Sequence, residues 1–424
     1  YFWDTEIFML PFYIYTNPKA ARNLLLYRYH ALRGAEENAG RQNLEGARYP
    51  WMSSIDGLEQ CDTWDIGLSE VHITADIAYA INHYYEATND IEFMRDFGLE
   101  MLIQTSRYWK SRFTYNSRHD CYNLLFVKGP NEYGGVVNNN LYTVMMAVNN
   151  MQLAKIFIKK IKTCYPEAYQ LLSGKLKFKE DEVREWDEII RKVVINYDQD
   201  KSLYMEDENI MNLEPLDLSS VKDGDQPLYR KICYDRLQRY RVIKQADVIL
   251  LMLLLPGKFN AQEKIAAWNY YEPITAHDSS LSYGTHSAFA ARLNMMEEAY
   301  KYFKKSVCLD LDNIMQNTQE EGIHFGALGA SWQAVINGFC GIELDEGNLK
   351  INPYIPKQWE KISFSMYYHQ CLIKVSVSSK TVTVTYEEGN PDELQITVAN
   401  QPVLLLKCKE KNIKLNVHDE FYSG

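Results

Sequence analysis

The sequence lacks a hydrophobic run long enough to cross a bilayer. Its longest, Val248 to Leu255, stops after eight residues at Pro256-Gly257, whereas a spanning helix needs about 20. It lacks a dense Lys/Arg run as well: 45 basic residues against 56 acidic ones give a formal charge of −11. A nucleic-acid binder needs a concentrated basic face, so neither nucleic acid nor a membrane is an expected partner. The eight cysteines (Cys61, Cys121, Cys164, Cys233, Cys308, Cys340, Cys371 and Cys408) form no CxxC pair, and their wide spacing suits neither a zinc site nor a small disulfide scaffold. Scattered thiols of this kind predict a soluble protein of the reducing cytoplasm. The opening YFWDTEIFMLPFYIY has no basic start and carries Asp4 and Glu6, unlike a signal peptide. No GxSxG or GxGxxG pattern and no phosphate-binding P-loop occurs, which leaves serine-hydrolase elbows, dinucleotide folds and P-loops unsupported. His72 and Asp76 stand one helical turn apart with no third ligand at matching spacing. They read as packing and hydrogen bonding within a helix, and neither a metal nor an organic cofactor is expected.

Aromatic residues are abundant: 31 Tyr, 16 Phe and 8 Trp. They suit a large core and also sugar binding, where a ring packs on C–H faces. Most of the chain reads as helix. Asn17 caps a helix that opens at Pro18, with Gly34 as its stop. Helical spacing returns over residues 71–88, 91–112, 141–161, 180–197, 240–255, 262–271, 287–307 and 330–338. Long polar loops such as 46–69 and 128–140 separate them and mark functional ground. Helical hairpins joined this way predict a toroid with its loops gathered over one mouth. From Lys350 the texture becomes strand alternation, with LIKVSVSS and TVTVTYEE forming a hairpin at Ser378-Ser379-Lys380. The expected organisation is therefore a helical domain over 1–345 and a small antiparallel β-domain over 346–424.

Four segments carry side chains suited to chemistry. In Lys128-Gly129-Pro130-Asn131-Glu132-Tyr133-Gly134-Gly135, a Gly-Pro turn and two glycines let the Glu132 carboxyl enter a cleft. The preceding LLFV would partly desolvate it, as general-acid work requires. The start, Tyr1 to Glu6, sets aromatics beside acids, the components of a sugar subsite. Tyr240 to Asp247 places Lys244 and Gln245 at the expected start of an apolar helix. Finally, His277-Asp278-Ser279-Ser280-Leu281-Ser282 and Gly322-Ile323-His324-Phe325-Gly326 offer hydroxyls, N–H groups and an imidazole to an oxyanion. Taken singly, each has a plain reading: a solvated loop acid, a buried helix start, solvated helix-end charges, a serine cap or a core histidine.

In this order, FWDTEIFMLPFYIYTNPKAARNLLLYRYHAL, ARYPW, EVHITADIAYA, GPNEY with NNNLYT, RYRVIKQADVILLM, HDSSLS, GIHFGALGASWQAV and the GFCGIEL–LKINPYIPKQW junction resemble glycoside hydrolase family 65, the inverting α-glucoside phosphorylases. The likeness runs from residue 1 to about 360. It implies a mainly α protein, an (α/α)6 barrel followed by a small C-terminal antiparallel β-sandwich. It also implies an N-terminal β-sandwich and linker helices upstream of Tyr1, so the chain matches the C-terminal part of such a protein and is expected to begin inside the barrel, incomplete at its N-terminus and without helices that would close the toroid. Carried over residue by residue, Glu132 is the general acid. Phe2, Trp3, Asp4, Lys244 and Gln245 form the glucose subsite, and Ser279, Ser280 and His324 the phosphate site. Tyr133, Tyr229 and Lys231 are candidates for the acceptor subsite. Asn131, where the family commonly has Asp, and Gly134-Gly135, where many members have His-Glu, depart from the pattern. Family members are often homodimers, an assembly that no segment of the sequence marks.

A phosphorylase replaces the water and base of an inverting glycosidase with phosphate, an anionic nucleophile and here a co-substrate. The site then needs one carboxylic acid and a cluster of anion donors. Attack opposite the leaving group would convert an α-glucoside into β-glucose 1-phosphate and a free acceptor, with bound phosphate favouring protonated Glu132 by like-charge repulsion. The competing expectations are an inverting hydrolase that recruits Asp278 as base, and an inactive carbohydrate-binding fragment.

Overall fold

The computed structural model describes residues 1–415 other than 62, 64, 223 and 225. Six helices form an inner ring: α1 (Leu10–Thr16, entered through a widened turn over Thr5–Met9), α2 (Ile73–Thr88), α3 (Leu141–Cys164), α4 (Val248–Leu254), α5 (Ser282–Arg292) and α6 (Phe325–Gln333). Each packs on the next, and α6 returns to α1 and its entry turn. The return contact is close because Gly329 has no side chain; a Cβ there would lie 2.2 Å from the Phe8 carbonyl oxygen. Gln333 Nε2 fastens it by donating to the carbonyls of Ile7 (2.8 Å) and Phe8 (3.0 Å). Helices Pro18–His30, Leu99–Arg112, Asp181–Lys192, Ala261–Tyr271 and Met296–Val307 pack outside this ring. Buried apolar residues from both layers merge into one core.

Local sequence explains most helix limits. The Asn17 side chain accepts from Ala20 N at 3.2 Å, with Pro18 at the first helical position. Gly34, expected as a stop, instead lies inside a second helix, Leu32–Arg41. It is small there because the Asp56 carbonyl oxygen sits 2.1 Å from where its Cβ would be. The helix expected over 287–307 is two helices, broken at Asn294, which takes φ +60°. The helix expected from Tyr240 begins only at Val248; residues 240–241 form a short strand. Ile243 then bonds along 274–276, its N–H donating to Ile274 O and its carbonyl accepting from Ala276 N. That pairing takes the backbone groups a helix would have used.

The helical part ends at Phe339, and the first strand begins at Ile342. Strands β1 (Ile342–Asp345), β2 (Asn348–Ile351), β3 (Lys361–Tyr368), β4 (Cys371–Ser378), β5 (Thr381–Glu388), β6 (Glu393–Val398), β7 (Gln401–Leu406) and β8 (Lys409–Lys414) form two four-stranded sheets, ordered β8-β5-β4-β3 and β7-β6-β2-β1. The expected β4–β5 hairpin is present, pairing Val375 with Val384. One pairing is not antiparallel: β6 runs parallel to β2, Val398 beside Ile351. Alternate residues Ile373, Val375 and Val377 join Leu349, Ile351, Ile396 and Val398 in the apolar core. The β-domain docks on the C-terminal ends of the ring helices, where His369 N donates to Ala87 O (2.7 Å) and Arg292 pairs with Glu343. Among the described residues no helix is long and apolar enough to cross a membrane.

Candidate active site

Every ring helix is preceded by one of the segments singled out above: Asp4 before the entry to α1, Glu70 and His72 before α2, Asn140 before α3, Lys244 to Asp247 before α4, Ser279 to Leu281 before α5, and His324 before α6. Ring helices that pack with these ends together gather the segments at one mouth. Their N-terminal N–H groups add positive partial charge there. The opposite end holds a cavity of about 570 Å³ lined by Tyr15, His83, Glu86, Arg292 and Gln333 among others, and by none of the twelve candidate site residues.

The acid loop is held by Asn131. Its Oδ1 accepts from Tyr133 N (3.2 Å) and Lys244 N (2.9 Å), and its Nδ2 donates to Glu206 Oε1 (2.8 Å). Gln245 Nε2 donates to Pro130 O at 2.7 Å. Glycine at 129 is required by close approach, since a Cβ would lie 2.5 Å from Asp247 Oδ2. Glu132 thereby meets Lys244 Nζ at 2.7 Å, both groups being partly open to the cleft. The lysine's charge is opposed by burial, but the Glu132 carboxylate outweighs this and holds the ammonium above its usual range. Of the preceding LLFV run, Leu124 and Val127 are buried in the core, whereas Phe126 is exposed at φ +56°. The group beside the acid is a cation.

Asp4 lies against the first turn of α6, where a Cβ on Gly326 would come within 2.5 Å of its Oδ1. Its carboxyl is pushed up to about 7, first by burial, then by the negative charges of Glu6 and Glu132, with His324 opposing. Such a group donates as well as accepts hydrogen bonds near neutral pH, which suits a sugar hydroxyl. Trp3 is buried in a box with Phe8, Trp51, His72 and Tyr142, whereas Phe2 is exposed near Trp51. His72 and Asp76 bond within the helix as expected, Nδ1 to Oδ2 at 2.7 Å.

On the anion side, Ser279 Oγ donates to Gln245 Oε1 at 2.5 Å, joining the two segments. Ser280 follows in the turn before α5. His324 Nδ1 meets Asp310 Oδ1 at 2.6 Å, and its N–H donates to Asp310 Oδ2 at 2.9 Å. Burial raises Asp310, yet these bonds from His324 win and hold it below the usual carboxylate range. The pairing leaves Nε2 as the ring nitrogen not engaged by Asp310. Asp278 is buried and saturated, accepting from Tyr133 Oη (2.7 Å), Lys222 Nζ (2.8 Å) and Leu228 N (2.8 Å). Tyr133 is thus wholly buried under the acid loop; Tyr234 packs on it edge-on and stacks with Tyr229. Lys231 is exposed, with its Nζ 3.5 Å from Val221 O.

Sequence reasoning missed five groups: Glu70, Lys128, Glu206, Tyr234 and Asp310. Glu206 is buried beneath Asn131 and held well above its ordinary range by burial and then by Asp247. Lys128 and Glu70 lay within quoted motifs, and only their burial marks them. Asp310 has no local signal because His324 lies 14 residues on, and Tyr234 is marked only by its packing on the distant Tyr133. Among the described residues no cluster of His, Cys, Asp or Glu is arranged to hold a metal.

A ring of helices with its polar groups at one mouth and a β-domain at the other end is the architecture of a helical catalytic domain with a C-terminal accessory domain. Residues 1–333 match the central catalytic domain of glycosyl hydrolase family 65, and residues 342–405 match that family's C-terminal domain. The chain belongs to glycoside hydrolase family 65. It is 38% identical over 95% of its length to a kojibiose phosphorylase of Caldanaerobacter subterraneus subsp. tengcongensis, covering 54% of that protein. It is 33% identical over 97% of its length to the maltose phosphorylase of Bacillus subtilis, covering 53% of it. A solved structure named as a candidate kojibiose phosphorylase from the human microbiome superposes with a TM-score of 0.91 at 31% identity, over 99% of this chain and 61% of that one. The chain spans about half the length of the curated relatives it matches.

Proposed function

We propose that this protein carries out inverting phosphorolysis of an α-glucosidic disaccharide or other α-glucoside, on an (α/α)6 barrel whose six inner helices are the ring described above. Glu132 protonates the glycosidic oxygen as the C1–O bond breaks. Inorganic phosphate, held by Ser279, Ser280 and His324 Nε2, forms the new C1–O bond from the opposite face. The products are β-glucose 1-phosphate and the free acceptor. Asp4, Lys244 and Gln245 hold the glucosyl unit, with Phe2 and Trp3 shaping its aromatic wall. Tyr229, Lys231 and Tyr234 border the acceptor; Tyr133, expected there, is buried with its hydroxyl on Asp278 and supports Tyr234 from beneath. No resident metal or organic cofactor takes part, and the protein works in the cytoplasm.

One observation carries the choice of phosphorolysis over hydrolysis. An inverting hydrolase needs a carboxylate free to activate water on the nucleophile side. Asp278, the acid adjoining the serines, is buried with both oxygens occupied by Tyr133, Lys222 and Leu228. The groups left on that side are the serine hydroxyls and the His324 imidazole, whose partner Asp310 has both oxygens engaged by His324; this set suits the binding of an anion. The relatives support the same reading, as they are named phosphorylases of kojibiose and maltose.

The test is reverse and forward phosphorolysis by the full chain. β-Glucose 1-phosphate should be consumed with a panel of acceptors, and glucoside cleavage should require added phosphate. Phosphate-independent glucose release would reject the proposal.

A further inference from the structure

The Asn131 side chain makes three hydrogen bonds, and their directions are all forced. Its Oδ1 accepts from Tyr133 N (3.2 Å) and Lys244 N (2.9 Å); a backbone N–H only donates, so the amide oxygen must face both. Its Nδ2 is thereby turned onto Glu206 Oε1 at 2.8 Å, with both residues buried. Glu206 is itself tied on both sides of its backbone. Its N–H donates to Tyr271 Oη (2.8 Å), and its carbonyl accepts from Leu141 N (2.7 Å), the first residue of α3. Among the described residues Asn131 Nδ2 is the one hydrogen-bond donor to the Glu206 carboxyl, whose Oε2 has no partner. The charged groups acting on that carboxyl are the acids Asp247 and Asp207. Burial first, then these charges, hold it well above its ordinary range, and a neutral carboxyl still presents Oε1 as an acceptor.

We infer that Glu206 is a positioning residue for the general acid: by accepting from Asn131 Nδ2 it fixes the direction of that amide, and with it the turn that carries Glu132 and the backbone that carries Lys244. The inference rests on the reading of Glu132 as general acid. The bond to Tyr133 N spans Glu132 and caps the short helix Glu132–Gly134. The bond to Lys244 N sets the root of the side chain that meets Glu132 at 2.7 Å. One amide therefore places both partners of that pair. Without an acceptor at position 206, Nδ2 would be a buried donor left unpaired. The amide could relieve this only by turning, which would take Oδ1 away from both N–H groups. A misplacement of about 1 Å costs about 10² in rate. The bond can also be reversed. Asn131→Asp combined with Glu206→Gln keeps all three contacts, since one carboxylate oxygen accepts from both N–H groups and the other from the new amide at 206.

The experiment is reverse phosphorolysis by the full chain, with β-glucose 1-phosphate and the best acceptor of the panel above. It reads kcat per folded molecule, the folded fraction coming from urea unfolding, and the inhibition constant of inorganic phosphate. Glu206→Gln keeps an acceptor and should hold kcat within about fivefold of wild type. Glu206→Leu removes the acceptor and should lose about 10² in kcat, with the phosphate constant within about threefold, because none of the Asn131 bonds reaches Ser279, Ser280 or His324. Asn131→Asp with Glu206→Gln should hold kcat within about tenfold of wild type. Wild-type kcat in Glu206→Leu, or a loss there matched by equally weakened phosphate inhibition, overturns the inference. So does a loss of about 10² or more in the double variant, which decides alone if Glu206→Leu does not fold. If Glu132→Gln retains wild-type turnover, the general-acid reading itself fails. A dead Glu132→Gln beside an unaffected Glu206→Leu rejects only the role given to Glu206.

Discussion

Replacing Asp278 by Asn separates the two chemistries that the anion side of the cleft permits. Its carboxylate accepts from Tyr133 Oη, Lys222 Nζ and Leu228 N, with Tyr133 and Leu228 fully buried. Asparagine keeps one accepting oxygen and turns its amide toward either Lys222 Nζ or Leu228 N, each of which only donates. One of these donors is then unsatisfied, at about 1–3 kcal/mol. The ion pair to Lys222, which is 16% exposed, is lost as well, worth about 1 kcal/mol once screening is allowed for. The expected cost is about 2–4 kcal/mol, read as a lower urea midpoint with an unchanged slope. Turnover by the fraction still folded should remain within about tenfold of wild type and remain phosphate-dependent. The refuting result is a variant as stable as wild type whose turnover has fallen by about 10³ or more, since that describes a catalytic base.

Glu132→Gln should lose about 10² to 10⁴ in turnover with little change in thermal midpoint, because its partner Lys244 retains access to the cleft; kinetics and calorimetry check both. Arg28→Ala should destabilise the protein by about 3–5 kcal/mol, since Arg28 holds Glu6 through bonds of 2.7 and 2.9 Å with both side chains buried; equilibrium unfolding measures it. Gly326→Ala should raise the KM for the glucoside about tenfold or more by pressing a methyl on the Asp4 carboxyl; an unchanged KM would remove Asp4 from the sugar subsite. Asp4 is raised in the folded state, so its share of stability is fully present below its unfolded pKa of roughly 4 and is lost as pH rises through about 7. Asp4→Asn should flatten stability against pH across that window, and parallel wild-type and variant curves would contradict it.

Helix content, the Asn17-Pro18 cap, the β4–β5 hairpin and the His72–Asp76 pair were all legible locally, because each rests on neighbours within a few residues. The errors share a cause. Gly34 looked like a terminator, yet it answers to the Asp56 carbonyl, a contact 22 positions away. The Tyr240 segment had helical periodicity but spends its backbone bonds on residues 274–276. The acid's charged neighbour was hidden for the same reason: Lys244 arrives from 112 residues away.

What the sequence determined alone was the set of parts: ring-forming helices, strand alternation at the end, and motifs specific enough to resemble one family. Only tertiary structure decided what those parts face. It closed the helices so that six helix starts share a mouth, saturated Asp278, oriented His324 through Asp310 and bonded Asn131 to Glu206. Side-chain chemistry is written residue by residue, but the dielectric and the neighbouring charge that make a carboxyl an acid, a base or a strut come from residues brought together by folding.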